Sequence, residues 1–240
     1  MEQVTHRRTL RKLGIGLMAG LIGLSASQFC AATETDSAIA RGGRLYDKHF
    51  KENNTAKPDA DHPSYPKGGK YGKDASWRCK ECHGWDYKGK DGAYATGGHA
   101  TCIKGIGGAA GKDPAAIVAV LKDPTHRYTD KQLTAQDQQD LALFVGKGQF
   151  DMGKYVADKK AKGNASKGEA YFNTLCAGCH GKDGKKVKDG PPLGSVADNP
   201  YEMLHKVLNG QPGEGMPALR ALDPQIAVDI VSYLPQLPKQ

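Results

Sequence analysis

Cys79-Lys80-Glu81-Cys82-His83 and Cys176-Ala177-Gly178-Cys179-His180 decide how this chain is read. Both are C-x-x-C-H, the attachment signature of c-type haem. The spacing has a chemical reason: two thiols one helical turn apart add to the two vinyl groups of one porphyrin, and the adjacent imidazole reaches the iron from the same side. At this chain's own Cys and His frequencies one such match is expected by chance about 0.005 times, so two are not accidental. A four-cysteine zinc site would have to bridge the 93 residues between Cys82 and Cys176, where about 12 to 20 is usual, and would leave both histidines unused. A thioredoxin-type redox pair needs a βαβ context that neither flank offers. Two structural disulfides are the remaining alternative in an exported chain.

The flanks repeat as well. Ser166-Lys167-Gly168-Glu169-Ala170-Tyr171-Phe172 runs into the second motif, and Ala40-Arg41-Gly42-Gly43-Arg44-Leu45-Tyr46 is its counterpart ahead of the first. Gly42 and Gly168 are 126 apart, whereas Cys79 and Cys176 are 97 apart, so the first copy carries 29 extra residues. That insertion, near residues 50–76, is rich in Lys, Asp, Pro and Gly and reads as an irregular surface loop. After each motif an Asx-Pro pair opens a helix, Asp113-Pro114 and Asn199-Pro200. Each copy closes on an amphipathic helix, the first capped by Thr134 with Leu141, Phe144 and Val145 facing inward, the second capped by Asp223-Pro224.

With these segments the chain resembles the class I c-type cytochrome family, as a tandem two-domain diheme member. The C-terminal copy matches almost throughout: the haem motif with Gly181, then Gly190-Pro191-Pro192-Leu193-Gly194, then Gly215-Met216-Pro217 and the closing helix. The first copy departs in its insertion and its distal loop. The resemblance implies an all-α fold of two tandem cytochrome c domains, each a small helical fold around one covalently bound haem c, with N- and C-terminal helices crossing beside it. The expected boundaries are an export signal at 1–32, a first domain at 33–150, a linker at 151–165 and a second domain at 166–240. Cys79, Cys82, His83, Cys176, Cys179 and His180 are the expected haem-binding residues.

Each iron has a sixth position to fill. Met216 lies 36 residues after His180 in a Gly-Pro loop, and a thioether is a soft ligand suited to haem iron. The first copy has no methionine between Cys82 and Phe150. Aligning the closing helices through Asp140 and Asp229 sets His126 opposite Gly215, next to Met216, which selects His126 as the distal ligand. Met152, Cys102 and His99 are its rivals.

Composition sets the remaining bounds. The chain has 240 residues, a formal charge of +8 and 31 glycines, and Leu, Ile, Val and Phe together number 41, about 17%. No apolar run is long enough for a multi-span membrane protein. Arg7, Arg8, Arg11 and Lys12, an apolar stretch from Leu13 to Leu24 and a small-residue exit to Ala32 read as an export signal that leaves no permanent membrane anchor. The Arg pair loosely resembles a twin-arginine signal, but haem is joined to C-x-x-C-H thiols after export on an unfolded chain, which favours the general secretory route and the periplasm. Removing four bases and Glu2 with the signal lowers the charge from +8 to +5.

The expected function is that of a periplasmic electron carrier between a dehydrogenase or quinol-oxidising donor and a terminal acceptor, one iron His/His and the other His/Met ligated. Two protein ligands leave no open position for a substrate, so an electron-transfer protein is expected rather than an enzyme. The alternative is a diheme enzyme, or cytochrome subunit of an enzyme, oxidising thiosulfate or sulfite with Cys102 near the first haem. Expected partners are redox proteins with acidic docking surfaces, including a dehydrogenase subunit, and not nucleic acid.

Overall fold

The computed structural model describes residues 34–187 and 190–240; the expected export signal lies outside the described residues. Ala38–Gln240 form one compact unit. The described residues are mostly helical. In the compact unit's N-terminal half, α1 (34–52) is followed by a long irregular stretch, a 3-10 turn (Lys73–Trp77), the one-turn α2 (Cys79–His83), α3 (Pro114–Leu121) and α4 (Ala135–Leu143), which runs into a π turn at Phe144–Gly148. In the C-terminal half come α6 (Ala165–Leu175), the one-turn α7 (Ala177–His180), α8 (Leu193–Val196), α9 (Pro200–Asn209) and α10 (Pro224–Tyr233).

Local chemistry fixes the helix starts. Asp113, Asn199 and Asp223 each accept a backbone N–H of the first turn, with Pro at the opening position where its missing donor costs nothing. Thr134 and Asp137 form a reciprocal capping box at α4.

One helix crossing occurs twice. A Cβ on Gly42 would collide with the carbonyl of Asp140, and a Cβ on Gly168 with that of Asp229, so only glycine lets α1 approach α4 and α6 approach α10 so closely. The surroundings match residue for residue. Tyr46 packs on Phe144 at 5.3 Å and Phe172 on Tyr233 at 5.6 Å between ring centroids. Gln136 donates to Asp140 and Gln225 to Asp229, each at 2.8 Å.

The two halves meet through α1 and α9. Gly43, next to the crossing glycine, leaves room for the buried Asn209 side chain. The Asp47 carboxylate accepts from Arg78 and, at 2.8 Å, from Lys206; burial alone would raise its pKa, but these two cations hold it below the carboxylate range. Trp85, 2% exposed, lies with Arg78, Lys80 and Lys206 all within 6 Å of its ring.

His205 of α9 is fully buried in this contact. A carbonyl only accepts, so Nε2–H donates to Gly43 O (2.9 Å) and Nδ1 accepts the Tyr87 hydroxyl (2.8 Å). Protonation would cost the second bond, and burial lowers the pKa to about 4. An unfolded histidine titrates near 6.5, so between pH 6.5 and 4 the unfolded state binds the extra proton; stability is complete above about 6.5 and falls as the pH drops. The full loss is about 3 kcal/mol at 1.36 kcal/mol per pKa unit. His49, buried against Tyr128 and also lowered to about 4 by burial, adds a component of the same sign. Urea midpoints at pH 7 and 4.5 should therefore separate, and His205→Gln should remove about half of that separation; an unchanged difference would show that His205 does not carry it.

Residues 151–165, expected as a patternless linker, are ordered as α5 (Met152–Tyr155) and a hairpin pairing β1 (Val156–Ala157) with β2 (Lys160–Ala161), the one departure from helix among the described residues' regular elements. Asp158 and Lys159 turn the hairpin at positive φ, and Met152 and Val156 anchor it in the core. Two buried side chains in a lysine-rich tract are too sparse a pattern to announce a strand pair.

Candidate haem-binding sites

The first site is a cleft of about 750 Å³ between the α1–α4 pair and the loops that follow α2 and α3. Cys79, Cys82 and His83 line it from one side and His126 from the other. Cys79-to-His83 is a single helical turn ended by Gly84, whose positive φ releases the chain at once after the imidazole. Tyr46, Ile117, Leu141 and Val145 supply apolar wall.

His83 and His126 face each other across this cleft, ring centroids 6.2 Å apart. His83 Nδ1 lies 2.7 Å from the Lys104 carbonyl and His126 Nδ1 lies 3.1 Å from Asp123 Oδ1. Each partner occupies Nδ1, which leaves Nε2 for the cleft, the arrangement metal-binding imidazoles use. The separation can be checked against a metal between them. With a metal–nitrogen bond of about 2.0 Å and a further ~1.1 Å from nitrogen to ring centre, two opposed imidazoles sit about 6.2 Å apart. The residues present therefore fit an iron porphyrin held from both faces. Burial pushes the Cys79 thiol up to about 11 and the Cys82 thiol up to about 12, and burial lowers His83 below its ordinary value. In this setting the imidazole stays neutral, the form a metal requires.

The rivals of His126 lie elsewhere. None of Met152, Cys102 and His99 lines the cleft. Met152 is 1% exposed in the core. Cys102 is exposed. His99 bonds Glu81 at 2.7 Å and is stacked between Tyr71 and Tyr94, at 4.1 and 4.7 Å. Glu81 also takes a 2.7 Å ion pair from Lys80, so the two residues between the motif cysteines are buried. Nothing in the sequence marks this ion pair, because its neighbours come from loops far along the chain.

The second site repeats the turn. α7 carries Cys179 and His180 just after Cys176, and Gly181 ends it at positive φ as Gly84 does. The His83 carbonyl accepts from Gly89 N–H (2.8 Å) and the His180 carbonyl from Lys186 N–H (2.9 Å). His180 Nδ1 is buried without a partner among the described residues. Cys179 is exposed, and Leu175 beside Cys176 is 44% exposed, a large apolar side chain left bare next to the thiols. Met216 sits half-buried against the core in the loop between α9 and α10. No disulfide joins the five described cysteines, and no group of three or more His, Cys, Asp or Glu among the described residues could hold a bare metal ion.

The helix pair and thiol–imidazole turn of residues 163–234 are those of a cytochrome c domain. The family model that matches these residues is cytochrome c oxidase, cbb3-type, subunit III, a c-type cytochrome. No curated protein and no solved structure matches the chain. A cytochrome c domain implies covalently bound haem c and electron transport. No helix among the described residues is long and apolar enough to cross a membrane.

Proposed function

We propose that the chain is a periplasmic diheme electron carrier built from two tandem cytochrome c domains, with His83 and His126 opposed on one iron and His180 and Met216 on the other. The observation that carries this is the His83–His126 pair, 6.2 Å apart with both Nδ1 atoms engaged. The doubled helix crossing at Gly42 and Gly168 supports a domain in the N-terminal half. Haem, when bound, supplies a reversible one-electron iron couple. His83 with His126, and His180 with Met216, would hold the iron and leave no position for a substrate; a thioether would raise the potential and a second imidazole would leave it lower. Electrons would then pass downhill from the His83/His126 site to the His180/Met216 site. Exposed lysines at 154, 159, 160, 162 and 167 favour an acidic redox partner and a salt-sensitive encounter.

Low-temperature EPR of the oxidised protein, with near-infrared charge-transfer spectra, tests the ligand sets. The expected result is one bis-imidazole and one imidazole/thioether signal. His126→Ala should abolish the first alone and Met216→Ala the second alone. A thiolate signal, or a lower potential at the Met216 site in a resolved redox titration, would overturn this assignment.

A further inference from the structure

We propose that the insertion before the first haem motif is a strap that fixes the loop carrying His126, with His62 as its positioning residue. The proposal rests on the reading of His126 as a ligand.

Within the loop after α3 the Asp123 carboxylate accepts the Thr125 and His126 N–H groups, each at 2.8 Å, and Tyr128 N–H donates to the Leu121 carbonyl at 3.0 Å. Pro124, Thr125 and Arg127 are exposed. Arg127, immediately after His126, takes φ +56°, a left-handed conformation that a non-glycine residue keeps only when its surroundings over-determine it. Beyond these local bonds, the contacts that hold the loop come from the inserted segment and the residue that follows it. His62 Nε2 lies 2.8 Å from the His126 carbonyl, the Ser64 hydroxyl donates to the Thr125 carbonyl at 2.6 Å, and the Tyr128 hydroxyl donates to the Trp77 carbonyl at 2.7 Å.

The polarity of the His62 bond is settled by its neighbours. Ser64 N–H donates to His62 Nδ1 at 3.1 Å, so Nε2 carries the proton and gives it to the His126 carbonyl. His62 is itself pinned. It is 8% exposed, its N–H donates to Ser76 Oγ at 2.9 Å, and its ring packs edge-on to Trp77 at 4.5 Å. A rigid side chain thus reaches from the insertion to the backbone of His126 itself.

The C-terminal half offers the contrast. It lacks the 29 extra residues, and its distal loop is held by other means: Leu219 N–H donates to Val207 O at 3.0 Å, and Gly213 N–H donates to Glu52 of α1 at 3.0 Å. The insertion accompanies the half whose distal candidate is a histidine.

The test uses full-length holoprotein and follows the rate at which cyanide enters the oxidised first haem, which requires His126 to withdraw. His62→Phe keeps a packing ring but no donor, and should speed entry about tenfold, the weight of one buried hydrogen bond. His62→Gln keeps a donor near the Nε2 position and should return the rate close to the parent value. Ser64→Ala removes only the outer bond and should speed entry several-fold, so it decides the matter if His62→Phe fails to fold. The thioether charge-transfer band of the second haem should be unchanged throughout. Parent rates in both His62→Phe and Ser64→Ala would overturn the strap. His126→Ala separates the two levels: if it leaves the first haem's spectrum unchanged, the ligand reading fails; if it alters the spectrum while the strap variants do nothing, only the strap fails.

Discussion

Replacing Cys79 and Cys82 with serine is expected to leave the N-terminal half without a cooperative unfolding transition. The cleft these thiols line measures about 750 Å³. Without a porphyrin its apolar wall, with Tyr46, Ile117, Leu141 and Val145 among its residues, would face water. Apolar side chains are too few to compensate: residues 33–240 hold 32 Leu, Ile, Val and Phe, and so small a half buries little surface to begin with. Mass spectrometry should find one haem fewer, and calorimetry should lose the endotherm of that half. A double variant that still unfolds cooperatively at the parent midpoint would mean that the helices support one another unaided.

Gly168→Ala should be the most damaging single substitution away from the haem ligands. Its Cβ would run into the Asp229 carbonyl, 2.6 Å from the carbon, and sit 3.0 Å from Tyr233 Cβ. Both obstacles belong to the backbone or first side-chain atom of α10, so neither can rotate away, and the helices must separate. The expected cost is about 3 kcal/mol or more, which at 2 to 4 °C per kcal/mol lowers the melting temperature by roughly 6 to 12 °C in a chain of this size. Gly42→Ala meets the Asp140 carbonyl in the same way and should behave alike. A Gly168→Ala variant with the parent melting temperature would refute the close-crossing account.

What the sequence carried and what it concealed divide along a physical line. Features set by neighbours in the chain were readable: the one-turn thiol–imidazole motifs, the Asx-Pro helix starts, the Thr134 cap. The offset between Asp140 and Asp229 singled out His126, whose ring centroid lies 6.2 Å from that of His83. Features set only by tertiary contact were hidden. His205 looks like any polar residue on a helix until α1 closes over it. Lys80 and Glu81 look solvent-exposed until Trp85 lies against the first and His99 bonds the second. The insertion reads as loose surface loop because its composition is polar, whereas a few of its side chains, His62 above all, make the contacts that matter.

The contact between α1 and α9 bears on modularity. The Gly43 carbonyl and the Tyr87 hydroxyl lie in one half of the molecule and the His205 ring that bonds both lies in the other; the Glu52 carboxylate lies in one half and the Gly213 amide in the other. A gene cut between residues 150 and 165 would send each half into solution with a bare polar socket and no counterpart to fill it. The halves are thus not interchangeable cassettes that can be shuffled, separated or grafted onto another protein without redesign of the seam.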